Sequence, residues 1–368
     1  MEGREQVESN KKKLLVVDDS AFMRKLISDF FKEHDLVEVV GIARNGRDAL
    51  NKIKLLKPDV VTMDVEMPEM NGIEALKEIM SNSPVPVVML SSTTVKGTEN
   101  TLKAMEYGAI DFVAKPSGTI SLDLHKIKDE LIEKVLHAAN VPIHKVKISV
   151  SLPKQIEKPI TFNKQLDKAS TIKRHNNSKR MVLIGTSTGG PRALQEVITN
   201  LPKEIKAPIL IVQHMPAGFT KSLAVRLNQL SEIEVKEAEE GDILRDGHAY
   251  IAPGGYHMKI RKTGNAYSIV LDDQMPPRGG HRPSVDVLFE NISEFNNFDK
   301  IAVIMTGMGA DGSKGLVQLK QRGNVIAIAE SSNTSIVYGM PKAAVETQLV
   351  NEVVDLDKIA TTIIQYLP

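Results

Sequence analysis

From residue 12 to residue 139, short apolar runs alternate with stretches whose apolar positions recur near every 3.6 residues. The runs at 14–17, 37–42, 60–63, 85–90 and 110–113 are rich in β-branched residues and apolar at consecutive positions. They predict strands buried on both faces. The stretches at 21–31, 49–56, 73–80 and 99–107 carry helical spacing, and a last helix is expected over about 122–138. Strands and helices in alternation imply βαβ units, so the first domain reads as a five-stranded parallel (βα)5 fold over 12–139.

The same logic returns at larger scale after residue 180. Strands are predicted at 181–184, 209–212, 249–251, 301–305 and 325–329, and helices at 192–201, 221–230, 285–295 and 314–321. A run at 267–271 reads as a hairpin strand inside a β excursion over about 233–272. The expectation for 180–368 is a mostly parallel, doubly wound α/β domain with a small β-hairpin excursion. Two domains also suit a chain of 368 residues.

Charge separates the segments further. Residues 1–139 hold 19 basic and 23 acidic side chains, residues 181–368 hold 18 and 21, and residues 140–180 hold 10 and 2. The middle stretch has no periodicity and contains Pro142, Pro153 and Pro159, so 140–179 reads as a basic flexible linker. It is either a solvated tether or a contact surface for an acidic partner. Overall the net charge is +1, which excludes a whole-protein basic field for nucleic acid. Cysteine is absent, which excludes disulfides, thiolate metal sites and a Cys nucleophile. Neither a secretory h-region at the start nor an apolar run of about 18 residues is present, so no membrane insertion and a cytoplasmic location are expected.

In parallel α/β sheets, functional groups collect at the carboxyl ends of strands. In the first domain those ends carry Asp18 and Asp19, then Asp64, then Ser91 and Ser92, then Lys115. Three converging carboxylates repel one another and call for a cation; oxygen donors without Cys or His suit Mg²⁺. One carboxylate can accept a phosphoryl group, with Lys115 and the Ser91 hydroxyl contacting its oxygens. The competing reading is that each Asp caps a helix.

In the second domain, MVLIGTSTGG matches G-x-S-x-G, a turn that presents Ser187 as a nucleophile. A glycine-rich turn before a helix is also a phosphate cradle. Of His214, His248, His257 and His281, only His214 directly follows a long apolar strand, which places it at the same edge as Ser187. His281, in the glycine-rich loop RGGHRPS, is the second choice of base. Asp311, after IAVIM and the loop TGMGADG, is the best orienting acid, whereas Asp286 reads as salt-bridged or solvated on a helix. An oxyanion hole would come from the TGMGADG loop, with Met308 as the specific donor; core packing is the other role open to Met308.

The set VVDDS, TMDVEMPEMNG, VVMLSS and FVAKPS resembles the receiver domain of two-component response regulators. That resemblance implies Asp64 as phospho-acceptor and Asp18, Asp19 and Asp64 as Mg²⁺ ligands, with the Glu66 carbonyl as a further one. It also implies Ser91 and Phe112 as switch positions and Lys115 as the phosphate contact. GTSTGG, QHMP, PGGYHM, HRPSVDVLF and TGMGADG behind such a receiver are similar to the chemotaxis methylesterases of the CheB family. The resemblance implies hydrolysis of glutamate methyl esters, and deamidation of glutamines, on methyl-accepting chemoreceptors. Ser187, His214 and Asp311 take the nucleophile, base and acid positions, and the esterase reaction needs no cofactor. The chemotaxis histidine kinase CheA would be the phosphodonor. A transcription factor would instead need a small basic helical domain, and the second segment is long, acidic and strand-rich.

Overall fold

A computed structural model of the chain describes residues 11–115, 123–146 and 179–368. The N-terminal part runs β1 (Lys12–Val17), α1 (Ala21–Phe31), β2 (Val37–Ala43), α2 (Gly46–Leu56), β3 (Val60–Asp64), α3 (Gly72–Asn82), β4 (Val87–Ser91), α4 (Val95–Glu106), β5 (Asp111–Ala114) and α5 (Asp123–Ala138). Its five strands are parallel in the order β2-β1-β3-β4-β5. This is the expected (βα)5 fold. β4 starts two residues later than its apolar run, because Pro86 has no N–H to give to a sheet ladder.

Helix starts are decided by caps that the apolar period does not register. Ser20, Asn45, Asn71 and Thr94 each accept a backbone N–H at N3 of the helix they precede. That is why α2 and α4 begin three and four residues ahead of their first periodic positions. Asn71 and Glu74 form a full capping box at α3.

A short helix, α6 (Ile143–Val146), follows α5. It lies within the stretch expected to be linker, and it is docked: Lys145 Nζ donates to the Ser332 and Ser335 carbonyls at 2.6 and 3.0 Å. The bulk of the linker, 147–178, lies outside the described residues.

The C-terminal part runs β6 (Lys179–Thr186), α7 (Gly190–Ile198), β7 (Ile209–Gln213), α8 (Phe219–Leu230), β8 (Glu234–Glu237), β9 (His248–Ile251), β10 (His257–Thr263), β11 (Ala266–Asp272) and α9 (Val285–Ser293). It continues with β12 (Phe298–Ile304), α10 (Ser313–Arg322), β13 (Val325–Glu330), α11 (Met340–Glu346), β14 (Glu352–Val354) and α12 (Leu356–Gln365). Seven parallel strands lie in the order β14-β13-β12-β6-β7-β9-β8, and β10 and β11 form a separate antiparallel pair. The β excursion is therefore smaller than expected, since β8 and β9 belong to the main sheet. Neither β14, only three residues long, nor β8, whose four residues include three charged ones, offered an apolar run to read. Strand order reverses at β6, which has β12 on one side and β7 on the other. Crevices form at such reversals.

The two parts touch through α4 and β5 on one side and α7 and α8 on the other. Phe112 stacks on Phe219 with ring centroids 4.5 Å apart, and both side chains are buried. Arg226 makes a bidentate pair with Glu106 at 2.7 and 3.1 Å, and Thr98 and Ser222 share a hydrogen bond of 2.7 Å. Thr188 Oγ1 donates to the Asp111 carboxylate, which Lys134 also approaches at 3.4 Å.

Candidate functional sites

Ser187 follows β6 at a turn that Gly189 completes with φ of 77°. The serine is held entirely through its peptide groups. Its N–H donates to the Thr306 carbonyl at 3.0 Å, and its own carbonyl accepts from Gly190 N–H at 2.7 Å and Gln213 Nε2 at 2.9 Å. The exit of β12 passes so close that a Cβ on Gly307 would lie 2.8 Å from Ser187 Cβ. Only glycine permits that approach.

His214 follows β7, and its N–H donates to the Thr186 carbonyl at 3.2 Å. Its Nε2 meets Asp311 Oδ2 at 2.8 Å. Its Nδ1 is buried and has no hydrogen-bond partner among the described residues. One imidazole nitrogen is therefore engaged by the acid and the other is free to serve a nucleophile. Among the described residues no hydrogen bond joins Ser187 Oγ to His214; such contacts commonly tighten only with substrate bound.

Asp311 is the most constrained group of this site. Besides His214, its carboxylate accepts from Ser284 Oγ at 2.9 Å, Val285 N–H at 2.7 Å and Asp286 N–H at 2.9 Å. The last two donors open α9, so the carboxylate sits at a helix N-terminus, where the dipole favours a negative charge. Burial by itself would raise the Asp311 pKa; the hydrogen bond and charge of His214, with the α9 N–H groups, outweigh it and hold the acid at about 2.

Asp286 departs from its expectation. It is neither solvated nor salt-bridged: it is buried, and its Oδ1 accepts from Gly312 and Gly315 N–H at 2.9 and 2.7 Å. It thus satisfies the start of α10 while Asp311, just before α10, satisfies the start of α9. The two helices exchange carboxylates. Burial raises the Asp286 pKa. Its uncharged N–H partners lie at the start of α10, 26 and 29 residues away, so the period of α9 carried no sign of them.

His281 lies face to face with His214, ring centroids 3.9 Å apart and 10° from parallel. Desolvation and the His214 charge hold its pKa below the ordinary histidine value. Asp311 bonds to His214 and not to His281. His257 is a buried side chain bonded to the Pro276 carbonyl at 3.1 Å, and His248 pairs with Glu234 at 2.9 Å on the surface. Met308 is half-buried, and its sulfur lies 3.4 Å from Thr188 Oγ1, whose hydrogen is engaged by Asp111. The Met308 N–H meets no protein acceptor among the described residues.

Thr188, Gln213 and Ser284 were not picked out in the sequence. Gln213 Nε2 holds the Ser187 carbonyl, a role a residue next to His214 was placed to take. Ser284 had a visible signal: it precedes the apolar pattern of α9 and caps it through the Val287 N–H.

In the N-terminal part, Asp18 and Asp64 are buried and Asp19 is exposed. Carboxylate oxygens of the three lie within 4.8 Å of one another. Lys115 Nζ bridges Asp18 and Asp64 at 2.9 and 2.7 Å. Burial raises the Asp64 pKa to about 6 against the opposing effect of Lys115. A cluster of hard carboxylate oxygens, with one face open at Asp19, fits a small divalent cation such as Mg²⁺. Glu66 is exposed, and its N–H donates to Asp64 Oδ1 at 3.3 Å. Ser91 is turned away from this pocket. Its hydroxyl donates to the Gly97 carbonyl at 3.1 Å and accepts from Thr101 Oγ1 at 2.6 Å, both on α4. Phe112 points into the contact with Phe219.

A family model described as CheB methylesterase matches residues 182–363, and one described as response regulator receiver domain matches residues 14–125. A relative from Geobacillus kaustophilus, named protein-glutamate methylesterase/protein-glutamine glutaminase, is 56% identical over 96% of this chain and 98% of its own. The chain belongs to the CheB methylesterase family. A protein of the same name from Bacillus subtilis is 50% identical over 95% of this chain and 97% of its own. The crystal structure of the Thermotoga maritima CheB methylesterase catalytic domain is 43% identical, with a TM-score of 0.50, over 52% of this chain and all of that one. No helix among the described residues is long and apolar enough to cross a membrane.

The Asp311 environment sets a pH dependence. A carboxylic acid held at about 2, against an ordinary 3.8, stabilises the fold by about 2 kcal/mol wherever it is ionised. Because the folded pKa is the lower one, this stabilisation is complete above about pH 4 and is lost as pH falls toward 2. Asp311→Asn should lower the urea midpoint of the C-terminal domain at pH 7, and the gap to the parent should close as pH approaches 2. A gap independent of pH would contradict it.

Proposed function

We propose that this CheB-family hydrolase is a phosphorylation-regulated protein-glutamate methylesterase and protein-glutamine deamidase. As a member of the family it is a carboxylic ester hydrolase with a receiver domain in front. The proposed division is a receiver over 12–139, a linker over 140–179 and a catalytic domain over 180–368. Its substrates are side chains of methyl-accepting chemoreceptors, its phosphodonor a chemotaxis histidine kinase, and its place of action the cytoplasm. The observation that carries the reading is the His214–Asp311 pair at 2.8 Å, with Nδ1 left free, at the same sheet edge as Ser187.

In this reading Ser187 Oγ attacks the carbonyl carbon of the γ-methyl ester while His214 takes its proton. The imidazolium formed is stabilised by Asp311, which is too acidic to take that proton itself. Negative charge develops on the carbonyl oxygen, and the open Met308 N–H is the proposed donor to it. Collapse expels methanol, which leaves with the proton from His214, and an acyl-serine remains. Water then attacks with His214 as base again, giving the glutamate carboxylate and free serine. A glutamine follows the same path with ammonia as the leaving group. The stacked His281, held neutral, adds no competing charge beside the imidazolium.

For regulation, Asp64 is the proposed phospho-acceptor. Asp18, Asp19, Asp64 and the Glu66 carbonyl would hold Mg²⁺, which when bound offsets the charge of the phosphoryl group. Lys115 would contact a phosphoryl oxygen, and Ser91 would leave its α4 partners to reach another. Phe112 would repack as it does so. Because Phe112 and Asp111 press on Phe219 and Thr188, one residue from Ser187, the unphosphorylated receiver obstructs the serine. The second reading, recruitment without a block, has no such contact in its favour.

Three outcomes are expected. Ser187→Ala should lose almost all methanol release from methylated receptor membranes, and His214→Ala and Asp311→Ala should be severely impaired. Because the three act as a unit, the triple variant should cost little more than the worst single one. An inactive His281→Ala beside a near-normal His214→Ala would reassign the base. Asp64→Asn should abolish labelling of the full chain by a small phosphodonor, as should chelation of Mg²⁺; equal labelling of the variant would move the acceptor elsewhere. Removing residues 1–140 should raise turnover of a small soluble ester above that of the unphosphorylated full chain, a substrate for which recruitment is irrelevant. Equal turnover would sink the obstruction.

A further inference from the structure

Glu330 ends β13 with no solvent exposure at all. A carboxylate buried to that degree costs several kcal/mol unless donors meet it. Two do. Oε2 accepts from the Thr306 N–H at 2.8 Å, and Oε1 accepts from Thr334 Oγ1 at 3.0 Å. An apolar side chain of similar size fills the same volume, so packing alone gives no reason for an acid here.

What Thr306 does on its other sides supplies a reason. Its carbonyl accepts from the Ser187 N–H at 3.0 Å and from Thr186 Oγ1 at 3.0 Å. Its hydroxyl donates to the Thr188 carbonyl at 2.9 Å and accepts from the Val337 N–H at 3.0 Å. Thr306 therefore grips Ser187 and both of its neighbours. It is also the residue from which Gly307 and Met308 depart. The Thr306–Gly307 peptide, whose carbonyl meets Ser187, thus joins the serine turn to the oxyanion loop. Glu330 anchors the preceding Met305–Thr306 peptide through its N–H, one Cα away from the carbonyl that Ser187 uses.

We propose that Glu330 is a positioning residue for this hydrolase, holding the Ser187 turn and the Met308 loop in register through Thr306. The inference rests on the reading of Ser187 as the nucleophile. It assigns Glu330 no contact with substrate. Burial raises the Glu330 pKa to about 7 against the Thr306, Thr334 and Ser335 hydrogen bonds and the charge of Lys145. Lys145 comes from the docked α6, so the segment leaving the receiver also bears on this acid.

The test uses the full chain, activated by a small phosphodonor, with methanol release from methylated receptor membranes as the assay. Glu330→Leu should lower kcat about 100-fold with little change in KM, as a displacement of roughly 1 Å at the reacting centre would. Its labelling at Asp64 and its circular dichroism should match the parent. Glu330→Gln keeps an oxygen acceptor for the Thr306 N–H and should recover most of the lost rate. A merely structural role would track stability and not this acceptor. Glu330→Leu with kcat near the parent value, or Glu330→Gln as slow as Glu330→Leu, overturns the proposal. If Glu330→Leu does not fold, Glu330→Asp keeps the charge and withdraws it by one methylene. Its kcat should fall about tenfold by the same misplacement, and a parent-like kcat overturns the proposal. Ser187→Ala is measured alongside. Retained activity in Ser187→Ala removes the nucleophile reading, whereas an inactive Ser187→Ala beside an undiminished Glu330→Leu removes the positioning role alone.

Discussion

The carboxylate of Asp311 is the point on which the C-terminal site hangs. Four donors converge on it: the His214 ring, the Ser284 hydroxyl and the first two N–H groups of α9. The cost of burying the charge is met by a helix terminus that would otherwise carry unsatisfied donors. In return the His214 ring is held by Nε2, and its Nδ1 is left buried without a hydrogen-bond partner among the described residues. Asp286 reciprocates by satisfying the first N–H groups of α10. The geometry of the Asp311–His214 pair thus depends on how α9 and α10 pack. A change that shifted either helix would move His214 without touching it.

A second constraint operates between the two parts of the chain. Phe112 and Phe219 bury each other, and Asp111 reaches the residue after Ser187. Ser91 is bound inside α4 by Gly97 and Thr101, so the same helix that faces α8 also holds the proposed switch hydroxyl. Any rearrangement that pulls Ser91 toward Asp64 strains α4 and, through Glu106 and Arg226, the contact with α8. Packed interfaces of this kind change between discrete arrangements rather than deforming smoothly. That property is the one that the proposed control of Ser187 from Asp64 would use.

Much of this was legible in the chain. Consecutive apolar runs identified ten of the twelve strands that the described residues place in the two parallel sheets, because a parallel sheet covered on both faces leaves few polar positions to interrupt the run. Chemistry at strand ends was legible for the same reason: a residue directly after an apolar run stands at the sheet edge, as Asp64, Ser187 and His214 do. What escaped were the strands β8, β10 and β14, the helices α11 and α12, and helix starts set by polar caps. Asp286 was misjudged because its partners, Gly312 and Gly315, are close only after α9 and α10 pack.

By itself the sequence determined the two α/β domains, their family and the residue types at each edge, since all three follow from local pattern and motif. Tertiary structure decided which groups meet. It gave Asp311 to His214 and stacked His281 on the same ring. It turned Ser91 toward α4 and set Glu330 beneath Thr306. Such pairings depend on strand order and helix packing, which join residues as far as 97 positions apart and leave no trace in any short window of sequence.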